Sequence, residues 1–159
     1  MAEQKTNVMR TLEKMKIRYT PHEYPHGDTA VDGRTVAELI GKEPESVFKT
    51  LVARGASKTI YVFVIPVMKE LDLKAAAKAV NEKSVEMVHV VEINALTGYV
   101  RGGCSPIGMR KQYATTFDES ALAQDTIVVS AGKIGAQVEV DPRELIRLTR
   151  GSTAALTKE

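Results

Sequence analysis

Tryptophan is absent from these 159 residues, cysteine occurs once, and aromatic side chains make up only 5%. A single cysteine cannot close an internal disulfide, so burial of aliphatic side chains has to hold the fold. Neither sign of charge dominates: 22 Lys and Arg stand against 20 Asp and Glu, for a net charge of +2. That balance excludes a protein that coats nucleic acid through bulk charge and leaves room for a small, local basic contact. Long apolar runs are missing too. The longest, Ile60 to Val67, is far short of the roughly 20 residues that span a bilayer. Met1 to Arg10 is polar and lacks the apolar centre of a secretory leader, so a cytoplasmic protein without a membrane partner is expected. What is present is 43% hydrophobic and 26% charged residues. This composition suits one compact domain over residues 1–159, large enough to bury a core without disulfides or a structural metal.

Between Gln4 and Ile17 the apolar residues Val8, Leu12 and Met15 recur at i, i+4 and i+7, the period of a helix. Arg18 to Tyr24, carrying Tyr19 and Tyr24 about Pro21, reads as an irregular edge strand. Thr35 is the expected cap of a helix Val36–Ile40 that Gly41 stops. Val47–Ala53 alternates, which sets Lys49 and Leu51 on one face and Phe48, Thr50 and Val52 on the other. Thr59–Val67 is almost continuously apolar and β-branched, as expected of a strand buried on both faces at the centre of a sheet. Asp72 caps Leu73–Val80, whose Lys74 and Lys78 read as a solvated face.

Val85–Val91 reads as a short strand and Val91–Leu96 as a helical turn leading into a glycine loop. Thr115–Phe117 follows as a strand, and Asp118 caps a turn Glu119–Ala123. Strands Ile127–Val129 and Gln137–Val140 flank a second glycine loop, Ser130–Gly135. Asp141-Pro142-Arg143-Glu144 starts a helix that runs to Leu148, and the small, polar Gly151–Glu159 is expected to be a mobile tail.

Glycine and proline concentrate in Gly98–Gly108, where four of eleven residues are glycine and Pro106 stiffens the exit. Such a loop can aim several main-chain N–H groups at a phosphate, a carboxylate or a developing oxyanion; it can equally be a tight turn. Lys49 is open in the same way, between a solvated edge residue and a ligand. Other chemistries lose support. His22 and His26 are four apart, but Pro25 breaks any helix that would align them, and with no obvious third ligand neither a metal nor a cofactor is expected. Ala131-Gly132-Lys133-Ile134 is not an ATPase phosphate loop, and Ser105 lies outside any Gly-x-Ser-x-Gly elbow. Cys104 is the tempting nucleophile with His89 as base, yet a lone cysteine without an assured histidine reads as a packing residue. A pocket remains, with one strand lysine, two glycine loops and a few hydroxyls, suited to binding and positioning.

The ordered set Val47-Phe48-Lys49-Thr50-Leu51, Leu71-Asp72-Leu73-Lys74, Val85-Glu86-Met87, Thr97-Gly98-Tyr99, Gly102-Gly103-Cys104-Ser105-Pro106-Ile107-Gly108 and Ser130-Ala131-Gly132-Lys133 carries a resemblance. It is similar to the YbaK-type (YbaK/EbsC) family of aminoacyl-tRNA deacylases, relatives of the editing domain inserted in bacterial prolyl-tRNA synthetases. The resemblance spans about Leu12 to Leu148. It implies an α/β (α+β) fold, the YbaK/prolyl-tRNA synthetase-associated domain fold: a mixed, partly closed β-barrel-like sheet surrounded by helices. It also implies trans-editing of mischarged Cys-tRNA(Pro), with Ala-tRNA(Pro) the substrate of neighbouring branches. In the cysteine-clearing branch the substrate's own thiol attacks its ester and leaves as a thiolactone. The implied partners are the 3′ end of an aminoacyl-tRNA and prolyl-tRNA synthetase.

The same resemblance implies that Lys49 holds the terminal adenosine or its phosphate, and that the main chain of Gly102 and Gly103 faces the ester carbonyl. Ser130 and Gly132 would shape the aminoacyl pocket, and Tyr24 would stand at its mouth. Ser105 and Pro106 belong to the Gly-Gly-x-Ser-Pro loop as substrate-binding residues. Cys104 departs from the family pattern, in which many members carry an aliphatic residue, and the Asp141-Pro142 cap differs too and reads as structural. Two alternatives stay open: Ala-tRNA(Pro) hydrolysis by an activated water, and a non-catalytic module that binds RNA ends or a nucleotide.

Overall fold

A computed structural model describes residues 5–27 and 29–158. In chain order the elements are α1 (Asn7–Lys14), β1 (Tyr19–Glu23), α2 (Gly33–Ile40), β2 (Phe48–Gly55), β3 (Ile60–Pro66), α3 (Leu73–Ala79), β4 (Val85–Met87), α4 (Val90–Thr97), β5 (Ala114–Asp118), β6 (Ile127–Lys133), β7 (Ala136–Val140), α5 (Pro142–Thr149) and β8 (Ser152–Ala154). Side-chain oxygens start four of the helices: Thr6 accepts from the Met9 amide, Asp32 from Thr35, Asp72 from Lys74 and Ala75, and Asp141 from Arg143. Thr35 is therefore not the cap of α2. Asp32 is, and the Thr35 hydroxyl donates to its second oxygen at 2.8 Å, so α2 begins at Gly33. Helix α1 stops at Lys14, short of Ile17, because Lys16 turns left-handed at φ 59°. The expected start at Gln4 lies outside the described residues.

The strands form two sheets. A three-stranded antiparallel sheet has the order β1-β7-β6, and a five-stranded mixed sheet has the order β4-β2-β3-β5-β8. The apolar strand β3 is central, antiparallel to β2 and parallel to β5. A parallel bridge between Val47 and Val128 links the sheets at the start of β2, and they abut there without closing into one barrel. Alternation sends the two faces of the larger sheet into different cores. Phe48, Val62, Val64 and Phe117 pack with β6, β7, α1 and α5, whereas Ala53, Phe63 and Ile65 pack with α3. No helix among the described residues is long and apolar enough to cross a membrane.

Two expectations are corrected. Ser130–Lys133 is not a loop: it continues β6 through a register irregularity, and Ile134-Gly135 alone turn the hairpin. Residues 151–158 are not a free tail either. Ser152–Ala154 adds a parallel strand beside β5, and Leu156 is fully buried in the α3-side core. The Leu156 amide donates to Asp118 at 2.9 Å, and its carbonyl accepts from Asp72 at 2.7 Å. A short run of small residues looks unstructured in isolation, but this one completes a sheet edge and caps a core. The expected endpoint Glu159 lies outside the described residues.

Candidate functional site

A cavity of about 880 Å³ opens beside the junction of the two sheets. Its wall is assembled from Tyr24 after β1, the connection Thr29–Asp32, Phe48–Leu51 of β2, Val100–Gly102 and Cys104 of the glycine loop, and Ser130 and Gln137 of the β6–β7 hairpin. Segments more than a hundred residues apart thus meet. The structure brings together Lys49, Tyr24, Gly102 and Ser130 on this wall. Gly103, Ser105, Pro106 and Gly132 lie behind it.

Lys49 is half-buried on β2, opposite Ile65, and its ammonium makes no hydrogen bond or ion pair with the described residues. Burial pushes its pKa below the ordinary lysine value, against a weaker opposing pull from Glu70. An unpaired, partly desolvated cation in a cavity is poised for an anionic ligand. The adjacent Thr50 hydroxyl is buried without a hydrogen-bond partner, and Gln137, 6% exposed, has an amide that bonds to none of the described residues. These two groups are the ones the sequence reading missed. Ala136, Val138 and Val140 of β7 enter the core, so the alternation itself turned Gln137 the other way, opposite Ser130 in the ladder. That cross-strand pair of polar residues was the available signal.

The glycine loop is held by its own backbone and by Tyr99. The Gly103 amide donates to the Val100 carbonyl at 2.9 Å, closing a turn whose third residue, Gly102, has φ 86°. This geometry selects glycine. It also commits the Gly103 N–H to the turn, so that group does not face a ligand as expected. The N–H groups of Gly102 and Cys104 bond to none of the described residues, and both residues line the cavity. Gly103 is needed for contact between its loop and the end of β6, since a Cβ there would come within 2.9 Å of the Lys133 backbone. The Tyr99 hydroxyl crosses the loop to the Ile107 carbonyl, and its ring lies against Gly132. Ser105 is fully buried, and its hydroxyl accepts from the Ile107 amide. Pro106 is buried beside it.

No nucleophile–base pair lines this cavity among the described residues. Burial pushes the Cys104 thiol up to about 11, so it is protonated at neutral pH. His89 is exposed at the start of α4 and off the wall. Asp32 is held below the usual carboxylate range by the Thr35 amide and hydroxyl, which occupy both its oxygens. His22 is bonded to Glu139 at 2.8 Å, and the His26 ring packs edge-on against Tyr24.

Fold and cavity together define an α/β domain whose cavity wall carries the cationic side chains of Lys49 and Arg101, backbone N–H groups that bond to none of the described residues, and neutral polar side chains. The pattern of the aminoacyl-tRNA editing domain family matches residues 27–148. The chain belongs to that family and is an aminoacyl-tRNA deacylase. Over 155 residues it is 46% identical to EbsC of Enterococcus faecalis (strain ATCC 700802 / V583), a protein named for Cys-tRNA(Pro)/Cys-tRNA(Cys) deacylation; the match covers 98% of this chain and 94% of the relative. Among solved structures, one described as a trans-editing enzyme for prolyl-tRNA synthetase superposes with a TM-score of 0.82 at 23% identity, covering 99% of this chain and 100% of the other. The protein APE2540 does so with a TM-score of 0.86 at 22% identity, covering 95% and 99%. These two likenesses establish the fold.

Proposed function

We propose that residues 1–159 form one trans-editing domain that clears cysteine from Cys-tRNA(Pro), with the substrate's own thiol as nucleophile. The observation that carries this reading is a cavity wall with an unpaired cation and free N–H donors but with its one thiol protonated and no base beside it. Lys49 would hold the terminal phosphate or adenosine, and Tyr24 would stand at the mouth. Gly102 and Cys104 would offer main-chain N–H groups to the ester oxygen as charge develops on it. Ser130 and Gln137 would border the aminoacyl group, with Gly132, Ser105 and Pro106 shaping the loops from behind.

In the reaction the cysteine sulfur forms a bond to its own carbonyl carbon, and the bond from that carbon to the ribose oxygen breaks. The thiol proton passes to the departing ribose oxygen, restoring its hydroxyl, and a four-membered thiolactone is released. The protein contributes proximity and charge stabilisation, which such an intramolecular attack needs most. Choice among tRNAs is assigned to a partner, prolyl-tRNA synthetase, in keeping with a net charge of only +2.

The test is deacylation of Cys-tRNA(Pro), Ala-tRNA(Pro) and tRNA(Pro) carrying S-methylcysteine. The free thiol should be required, with the S-methyl ester left intact. Hydrolysis of the S-methyl ester at the cysteine rate would sink the substrate-assisted step. Preference for the alanyl ester would transfer the reaction to an activated water.

A further inference from the structure

A second depression, about 590 Å³, lies at the opposite end of β2 from Lys49, between α3 and the edge strand β4. Lys74, Lys78 and Lys83 line it together with Asn81. None of these lysines makes an ion pair or side-chain hydrogen bond with the described residues. Lys58, exposed on the β2–β3 turn, is brought alongside by the bond from the Ala56 amide to the Ser84 carbonyl. One carboxylate shares the lining: Glu82, kept ionised by its hydrogen bonds, leaves the three lysines in excess. Glu82 accepts from the Ser57 amide and hydroxyl and from the Tyr61 hydroxyl, and Glu86 sits opposite Arg54 in the β2–β4 ladder. A chain with almost no net charge thus gathers unpaired cations at one place.

We infer that this groove binds the sugar–phosphate backbone of the tRNA acceptor arm while the 3′ end occupies the cavity. The inference rests on the deacylase reading and adds where the body of the substrate docks. Lys49 and Gly55 are six residues apart on β2, about 20 Å of extended chain, so one acceptor arm can reach both places. Ammonium groups on flexible stems suit an irregular row of phosphates, and the Asn81 amide suits a ribose hydroxyl. Only Leu73, Ala77 and Val85 contribute apolar lining, too little for the desolvated centre of a protein interface. Such contacts carry no base readout and supply affinity without identity.

The experiment compares wild type with Lys74→Gln/Lys78→Gln/Lys83→Gln in the full chain. Binding of uncharged tRNA(Pro) is followed by fluorescence anisotropy across a salt series. Kinetics are measured on Cys-tRNA(Pro) and on a cysteinylated CCA trinucleotide. The variant should lose affinity at least about tenfold at low salt, and its slope of log affinity against log salt should fall by about three. KM for the full tRNA should rise with kcat held, while turnover of the trinucleotide and the melting temperature stay as in wild type. Equal tRNA affinity and equal salt slope in the two proteins would overturn the inference, even if both deacylate well. Displacement of tRNA by polyglutamate as effectively as by RNA of equal charge would also overturn it, leaving a general anion surface. Because binding is read without cleavage, failure of the deacylase reading is seen separately, as an intact ester on tRNA that still binds the groove.

Discussion

Lys49 stands on β2 with its proton already weakened by burial and no anion bonded to it among the described residues, so the native fold gains little from the charge. Lys49→Ala should therefore leave the melting temperature unchanged or slightly raised while kcat/KM for the cysteinyl ester falls about 10- to 150-fold, the worth of a charge-assisted hydrogen bond. Unchanged deacylation would remove the lysine from the site. Activity that needs the protonated amine should also fade on the alkaline side earlier than an ordinary lysine would dictate, since its pKa is lowered. The lysine was visible in the sequence as a charge inside an apolar strand, but its exposure was not. Gly102 and Gly103 show the same limit: adjacent and identical in type, one has an N–H at the cavity that bonds to none of the described residues and the other spends its N–H on the Val100 carbonyl.

At the scale of elements, local chemistry was a good guide. The caps Asp72, Asp118 and Asp141, the stop at Gly41 and the central position of β3 all appear where the sequence pattern put them. Each depends on interactions within a few residues or on the two-residue period of a strand. The segment after Gly151 was misread because its order comes from elsewhere: β5 supplies the ladder, and Asp118 and Asp72 supply the bonds around Leu156. Leu156→Ala should lower unfolding free energy by about 2–5 kcal/mol, the usual cost of emptying a fully buried leucine site. A shift in the urea midpoint at constant slope would show it. No shift would mean that residues 151–158 contribute nothing to the α3-side core.

For the molecule as a whole, Glu139 ties distant segments together, taking His22 of β1 at 2.8 Å, Lys42 beyond α2 at 2.9 Å, and the Thr126 hydroxyl ahead of β6. Burial opposes its ionisation, but these donors outweigh burial and hold its pKa near 2, well below 4.5. A depressed folded pKa means stability present above about 4.5 and lost as pH falls towards 2, on the order of 2–3 kcal/mol for this carboxylate. Glu139→Gln should be less stable than wild type at pH 7, with the gap between the two narrowing below about pH 4.5 and closing only near pH 2 in denaturant titrations. A gap that persisted undiminished would show that the carboxylate's charge is not what joins these segments. By itself the sequence determined most of the elements, the caps Asp72, Asp118 and Asp141, and the alternation that divides each strand between core and surface, because those follow from neighbours along the chain. Only the tertiary structure decided which members of the glycine and serine motifs reach the cavity, that Gln137 and Thr50 join them, and that the last residues close a sheet. The first two depend on segments far apart in sequence meeting at the sheet junction and the third on the open edge of β5, and the cavity wall is a property of no one segment alone.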